Sequence, residues 1–278
     1  TLDPDVTLLH LGGAGDDRLF GGAGNDALTG GAGADLLYGR ADDDHLRGGT
    51  GDDSLIGGSG NDTVLGENGA DVARGGYGAD QLSGGHGNDH LSGQQGDDVL
   101  DGGTGVDTLL GGNGADTLSG GTGGDDLNGG AGHDHLAGGA GMDVLDGSWG
   151  RDTLDGGSGA DTLNGGAGQD VLLGGTGINV LSGGRGSDVF VFQSDAGFFR
   201  DHITDFNAYG AQADNIDLSD FNLVDAQTDR SAWVNEHVAQ LDNGDVRITL
   251  SGSHSILISN HADAGNSFFD NTLDLLIF

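Results

Sequence analysis

The chain has 278 residues, of which 61 are glycine, one is proline and none is cysteine. Its 45 acidic residues are 43 aspartates and two glutamates (Glu67, Glu236), set against nine arginines and no lysine, for a net charge of -36. This excludes a disulfide framework and thiolate zinc sites, a membrane-spanning run of about 18 apolar residues, collagen with its glycine at every third position, and direct binding to nucleic acid or anionic lipid, which so acidic a chain repels.

Residues 1–11 (TLDPDVTLLHL) are apolar after Pro4 and are expected to start the first coil as an N-terminal cap. There is no starting methionine and no leader with a basic start, so the chain reads as part of something larger. From Gly12 to Val191 the chain falls into 20 nine-residue units without insertion or deletion, from GGAGDDRLF to GGRGSDVFV. Position 1 is glycine in all 20 units, position 2 in 16 (the exceptions are Arg40, Glu67, Gln94 and Ser148) and position 4 in 19, where Asp42 is the exception. Position 6 is aspartate in 19 units, with Asn179 the exception. Position 8 is leucine in 17, and otherwise Val64, Ala73 and Phe190. The four position-2 exceptions keep to a 27-residue spacing, which hints at duplication of a three-unit block.

Disorder accounts for high charge and few aromatics, but not for aspartate in place of glutamate. That choice asks for a short carboxylate on a tight turn. Glycine at positions 1, 2 and 4 admits positive φ and close backbone approach. Positions 1–6 therefore read as a turn with exposed carbonyls, and positions 7–9 as a short strand whose middle side chain is apolar. Strands that recur in one direction after each turn build a solenoid. Two units make one 18-residue coil, so 20 units give about ten coils, with two parallel sheets across a thin leucine core. Position-6 carboxylates of units n and n+2 then stack about 4.8 Å apart, where like charges oppose folding. A divalent cation between the turns reverses that sign. Calcium takes 6–8 oxygens from carboxylates and carbonyls alike, and the turn offers both, whereas magnesium demands a tighter octahedron.

The repeat, G-G-x-G-x-D-x-U-x with U a large apolar residue, resembles the calcium-binding nonapeptide of the RTX (repeats-in-toxin) family. The resemblance implies an all-β fold, a right-handed parallel β-roll with a C-terminal β capping region. It implies calcium ions between turns n and n+2, shared by glycine-turn carbonyls and the position-6 aspartates. These are Asp17, Asp26, Asp35, Asp44, Asp53, Asp62, Asp71, Asp80, Asp89, Asp98, Asp107, Asp116, Asp125, Asp134, Asp143, Asp152, Asp161, Asp170 and Asp188. The repeats allow at most 18 such pairs. They hold 29 acidic residues and six arginines, so graded occupancy is expected, weakest at Asn179 and Asp42.

From Phe192 the nine-residue frame is lost. Segments 188–192 (DVFVF), 245–250 (DVRITL) and 255–259 (SILIS) alternate like strands. Residues 198–221 resemble the stretch that closes the roll in serralysin-type metalloproteases, through Asp201, Ile203, Asp205, Phe206, Asp214, Ile216, Asp217 and Leu218. The end, Asp274-Leu275-Leu276-Ile277-Phe278, resembles the export signal that type I secretion machinery reads in such proteins. The expected organisation is thus an N-terminal cap (1–11), a β-roll (12–191) and a capping and secretion region (192–278).

No enzyme signature is present: neither HExxH nor GxSxG occurs. His86, His90, His133 and His135 stand at variable repeat positions, where side chains face solvent, and His202, His237, His254 and His261 lack ligand spacing. The expected function is a calcium-binding, non-catalytic module of a secreted bacterial protein, which folds on calcium after type I secretion and acts outside the cell or at its surface. The alternatives are an extracellular adhesion or polysaccharide-binding module, or the C-terminal half of a protease or lipase with its catalytic domain upstream. A regular threonine ladder for ice is missing, since Thr50, Thr104, Thr122 and Thr176 share one edge with gaps.

Overall fold

The computed structural model describes residues 7, 9–193, 200–207, 213–218, 238–240, 246–251, 254–258 and 276–277. Residues 1–6, His237, His261 and, from the export-like end, Asp274, Leu275 and Phe278 lie outside the described residues. The chain divides into two compact units, Thr1–Asp143 and Val144–Phe278. Among the described residues there is no helix, and the fold is an all-β, parallel solenoid of the β-roll kind.

In the first unit every strand pairs in parallel with the strand one 18-residue coil away. Val99–Thr104 pairs with Gln81–His86 on one side and Thr117–Thr122 on the other, with Leu100 opposite Leu82 and Leu118. Alternate strands build two sheets, so the next strand, Thr108–Asn113, pairs with His90–Gln95 and Asp126–Gly132. Position-8 side chains point inward and are buried, from Leu28 to Leu136. The first strand, Leu9–Ala14, places His10 in register with Leu28, which leaves Leu9 and Leu11 on the exposed face.

The strands are longer than the repeat suggests. A typical one covers positions 7–9 and then 1–3, as in Val99–Thr104 with the sequence VLDGGT. The expectation of a turn over positions 1–6 is thus corrected to a turn over positions 4–6. Alternation explains it: with position 8 inward, position 1 two residues on is inward as well, and Gly102 is buried there. Positions 2 and 3 simply continue the ladder, with Gly103 opposite Gly121 and Thr104 opposite Thr122.

Position 4 needs glycine on two counts. Gly114 has φ +140, and a Cβ there would fall on the carbonyl oxygen of Gly96 in the preceding coil. A left-handed backbone costs an L-residue about 1–2 kcal/mol, and the steric conflict with backbone adds to it. Gly114→Ala is therefore expected to lower the thermal midpoint of the folded chain by several degrees in saturating calcium. An unchanged midpoint would show that the turn has room to relax. Sequence exceptions at positions 2 and 4 keep the glycine conformation: Arg40, Asp42, Glu67, Gln94 and Ser148 all have positive φ. Glu67 also receives an ion pair from Arg47.

The second unit continues the same pattern and then departs from it. In one sheet Val144–Gly150, Thr162–Gly168, Val180–Gly186, Arg200–Ile203 and His254–Ile258 follow one another in parallel. Val246–Ser251 and Val238–Gln240 then add antiparallel strands. The other sheet runs Thr153–Gly159, Val171–Leu173, Val189–Val191, Asn215–Asp217 and Leu276–Ile277, all parallel. The strands expected from alternation are found at Val189–Val191, Val246–Ser251 and His254–Ile258. Ile203 sits opposite Leu181 and Ile216 opposite Phe190, so both extend the leucine row past the repeats.

Candidate metal centre

Each turn delivers a position-6 aspartate to a fixed place. Its backbone carbonyl accepts the position-7 N–H of the next coil, as Asp98 does from Thr117 at 2.8 Å. Its Oδ1 accepts the N–H of the aspartate one coil earlier: Asp80 N donates to Asp98 Oδ1, and Asp98 N to Asp116 Oδ1, both at 2.8 Å. The same bond recurs from Asp17 N to Asp35 Oδ1 onward. Carboxylates on each edge of the solenoid are thus stacked coil upon coil by the backbone itself.

The second carboxylate oxygen is different. From Asp35 to Asp125, every position-6 Oδ2 is buried and has no hydrogen-bond donor. A buried carboxylate oxygen without a donor is costly. The titration of these groups reflects that cost. Asp98 is pushed up to about 7 by burial, against the backbone N–H of Asp80, with Asp80 and Asp116 adding repulsion. Asp44 and Asp71 are likewise pushed up to about 7, and Asp62 and Asp116 to about 6, with burial the leading cause in each.

What surrounds Oδ2 is more oxygen. A Cβ placed on Gly102 would lie 2.6 Å from Asp107 Oδ2 and 2.8 Å from the carbonyl oxygen of Gly120, one coil on. A Cβ on Gly121 would meet the carbonyl of Gly103, and one on Gly123 the carbonyl of Gly105. At position 1, then, a carboxylate oxygen and a backbone carbonyl of the next coil lie together where only glycine leaves room, and at positions 2 and 4 the carbonyls of the preceding coil press equally close. Among the described residues no three His, Cys, Asp or Glu side chains converge on one point. A metal held there must take carboxylate and carbonyl oxygens together. That donor set, all oxygen and mixed, fits a hard divalent ion of tolerant geometry, as calcium is.

The RTX calcium-binding nonapeptide repeat model (four copies) matches this sequence at residues 11–46, 38–73, 65–100, 74–109, 101–136, 110–145, 128–163, 146–181 and 164–198. The chain belongs to this family. No curated protein sequence matches it. Among solved structures it is similar to the extracellular lipase LipA from Serratia marcescens, at 16% identity and a TM-score of 0.19, covering 87% of this chain. The chain spans 40% of the length of that lipase.

In this RTX chain the expected aspartates occupy equivalent places, with informative departures. Asp17, in the first coil, is only half-buried, while Asp26 to Asp188 are buried. Asp26 Oδ2 accepts the Gly22 N–H at 2.8 Å and so is partly satisfied already. Asp42 keeps the turn by its positive φ and uses Oδ2 to accept the Gly24 N–H at 2.9 Å. Asn179 keeps the stacking bond, since its Oδ1 accepts the Asp161 N–H at 2.9 Å.

Two members of the aspartate rows lie outside the repeat frame. Asp201 Oδ1 accepts the Asn179 N–H, and Asp214 Oδ1 accepts the Asp188 N–H, each at 3.0 Å. Asp201-His202-Ile203 and Asp214-Asn215-Ile216 therefore stand where positions 6–8 of two further units would be. The signal was present as D-x-I twice. A second feature lay in the variable position 5: Asp52 Oδ1 accepts the Ala70 N–H and Asn61 Oδ1 the Ala79 N–H, each at 2.8 Å one coil on. Asp16, Asp43, Asn88 and Asp97 make the same bond, so position 5 clasps successive turns directly at six places. His86 is exposed, its Nδ1 within 2.8 Å of Thr104 Oγ1, and His133 and His135 are exposed.

Proposed function

We propose that this chain is a calcium-dependent β-roll module that completes its fold outside the cell, after passage through a type I secretion system, as the non-catalytic part of a secreted protein. The observation that carries this reading is the buried row of Oδ2 atoms with no donor. Without a cation, stacked carboxylates oppose the coil that brings them together. Bound calcium supplies the positive charge that the row lacks, so its binding energy becomes folding energy. The position-6 aspartates of adjacent coils would hold it, together with carbonyls of positions 1, 2 and 4. Free calcium is scarce in cytoplasm and abundant outside, so a chain built this way stays threadable before export. Both family membership and the mixed oxygen set support the reading.

Far-UV circular dichroism during a calcium titration, with magnesium as control, tests it. The expected result is a cooperative coil-to-β transition with calcium and none with magnesium at equal concentration. A chain already rich in β-structure in EDTA would mean that the leucine core suffices, and the reading would fall. A glycan-binding platform is less well supported. The exposed Phe20 ring stacks on Tyr38 at 5.7 Å and 15°, with the Arg40 guanidinium 5.4 Å from its centroid. These ring faces are engaged with each other, so the flat aromatic surface left for a sugar is that of Tyr77 and Trp149, exposed in separate coils.

A further inference from the structure

Position 5 is exposed and stands beside the aspartate rows without belonging to them. Its clasps run in the direction opposite to theirs. Asp62 Oδ1 accepts the Asp44 N–H, one coil back, while its neighbour Asn61 offers Oδ1 to the Ala79 N–H, one coil on, both at 2.8 Å. Asn88-Asp89 repeats the arrangement, toward Val106 at 2.9 Å and Asp71 at 2.8 Å. A turn of this kind is tied to both of its neighbours, and the position-5 tie consists of a side-chain oxygen and a backbone N–H alone.

The clasps are unevenly spread. Asp16–Ala34 joins the first coil to the second, and Asp43–Asn61 the second to the third. Asp52–Ala70 and Asn61–Ala79 join the third to the fourth, one on each edge. From Gly12 to Ser83, then, every step between coils is clasped. In the second unit, Ala160 and Ile178 hold position 5 one coil apart. Both are exposed, and neither has a side-chain oxygen or nitrogen. That unit has a side-chain bond of its own, from Asn164 Nδ2 to Asp146 Oδ1 at 3.1 Å, but it lies at position 9 of the strands and not on the turn. Each clasp is an exposed hydrogen bond of modest worth. A coil of a solenoid meets only its neighbours, so what a clasp contributes stays local, and consecutive clasped steps add up.

We infer that position 5 is a second, metal-independent zipper that sets a local calcium threshold: the coils from Gly12 to Ser83 close at lower calcium than the coils around Ala160 and Ile178. This rests on the calcium reading of the repeats and adds to it an order of closing along the chain. When calcium falls, the coils around Ala160 and Ile178 open while the clasped block is still folded.

Hydrogen exchange read by mass spectrometry on the full chain, during a calcium titration, tests it. Residues 12–83 are expected to gain protection at a calcium concentration at least about twofold below that needed by residues 153–173. Asn61→Ala removes a clasp without changing charge. It is expected to raise the calcium midpoint of residues 12–83 about two- to fivefold and to leave that of residues 153–173 in place. The number of ions bound at saturation, by equilibrium dialysis, is expected to stay the same. Ala160→Asn supplies an acceptor for the Ile178 N–H and is expected to lower the midpoint of residues 153–173 by a similar factor. The inference is overturned if residues 12–83 gain protection together with or after residues 153–173, or if Asn61→Ala leaves their midpoint in place. A loss of bound calcium in Asn61→Ala also overturns it, because position 5 would then be a ligand and not a clasp. Should Asn61→Ala fail to fold in saturating calcium, Ala160→Asn decides alone, and an unchanged midpoint there rejects the zipper. Protection that responds to calcium nowhere in the chain would instead remove the calcium reading of the repeats, and the threshold with it.

Discussion

Asp98→Ala is expected to raise the calcium concentration at the folding midpoint about tenfold, and Asp126→Ala by less than about twofold. Asp98 is fully buried, holds the Asp80 N–H on Oδ1 and presents an Oδ2 without a donor. Alanine removes a cation ligand and also strands the Asp80 N–H, at about 1–3 kcal/mol for a buried unsatisfied donor. Each 1.4 kcal/mol is about a factor of ten in an equilibrium constant. Some of that loss is returned, because one member of a repelling stack has gone. Asp126 stands at position 7 with its side chain exposed, and its ladder bond to the Asp107 carbonyl is made by backbone. Asp98→Asn separates the two effects, since it keeps an acceptor for Asp80 and gives up the charge. Calcium titrations followed by circular dichroism read all three. Equal shifts for Asp98→Ala and Asp126→Ala would remove the register argument altogether.

The register itself was legible because one residue type at one phase maps to one place in a coil. Leu100 and Leu118, 18 residues apart, do meet, and so do Asp98 and Asp116. Strand length was not legible. Glycine at positions 1 and 2 suggests a turn, yet Gly102 and Gly103 continue Val99–Thr104 because position 1 must face the core beside the carboxylate of position 6. A bare α-carbon there makes room for an oxygen rather than for a bend. The resemblance marked Asp201, Ile203, Asp214 and Ile216 as the stretch that closes the roll, but the nine-residue period did not place them in the aspartate rows. The two aspartates follow Asn179 and Asp188 at 22 and 26 residues instead of 18, so a search at fixed period passes over them. What identifies Asp201 and Asp214 is the bond each makes to the chain one coil back, and that bond is invisible to spacing. The position-5 clasp of Asp52 on Ala70 escaped because a position that varies in identity reads as a spacer, although its acceptor function recurs.

In the metal-free chain, β-structure is expected to increase as pH falls from 7.5 to 5, and with calcium present the dependence is expected to reverse. The folded state pushes Asp44, Asp71, Asp98, Asp201 and Asp214 up to about 7, and Asp53, Asp107 and Asp170 to about 6, burial being the leading cause in every case. In the unfolded chain each titrates near 3.9. A carboxyl raised on folding takes up a proton when the chain folds. Its contribution to stability is therefore fully present below about 4 and is lost as pH rises through 6 to 7. At pH 7.5 the metal-free coil carries the whole repulsion of its stacks; at pH 5 most of these buried groups are neutral. The comparison is made above the isoelectric point of about 4.1, where the chain still carries net negative charge. Calcium competes for the same oxygens, so protons must leave as it binds. The calcium midpoint should accordingly fall as pH rises from 5 to 7.5, with proton release measurable in weakly buffered solution. Metal-free β-content that stays flat or rises with pH would show that these carboxylates are better solvated than their burial implies. The gap between turns would then be an open groove in which water already satisfies Oδ2, and the driving force assigned to calcium would have to come from elsewhere.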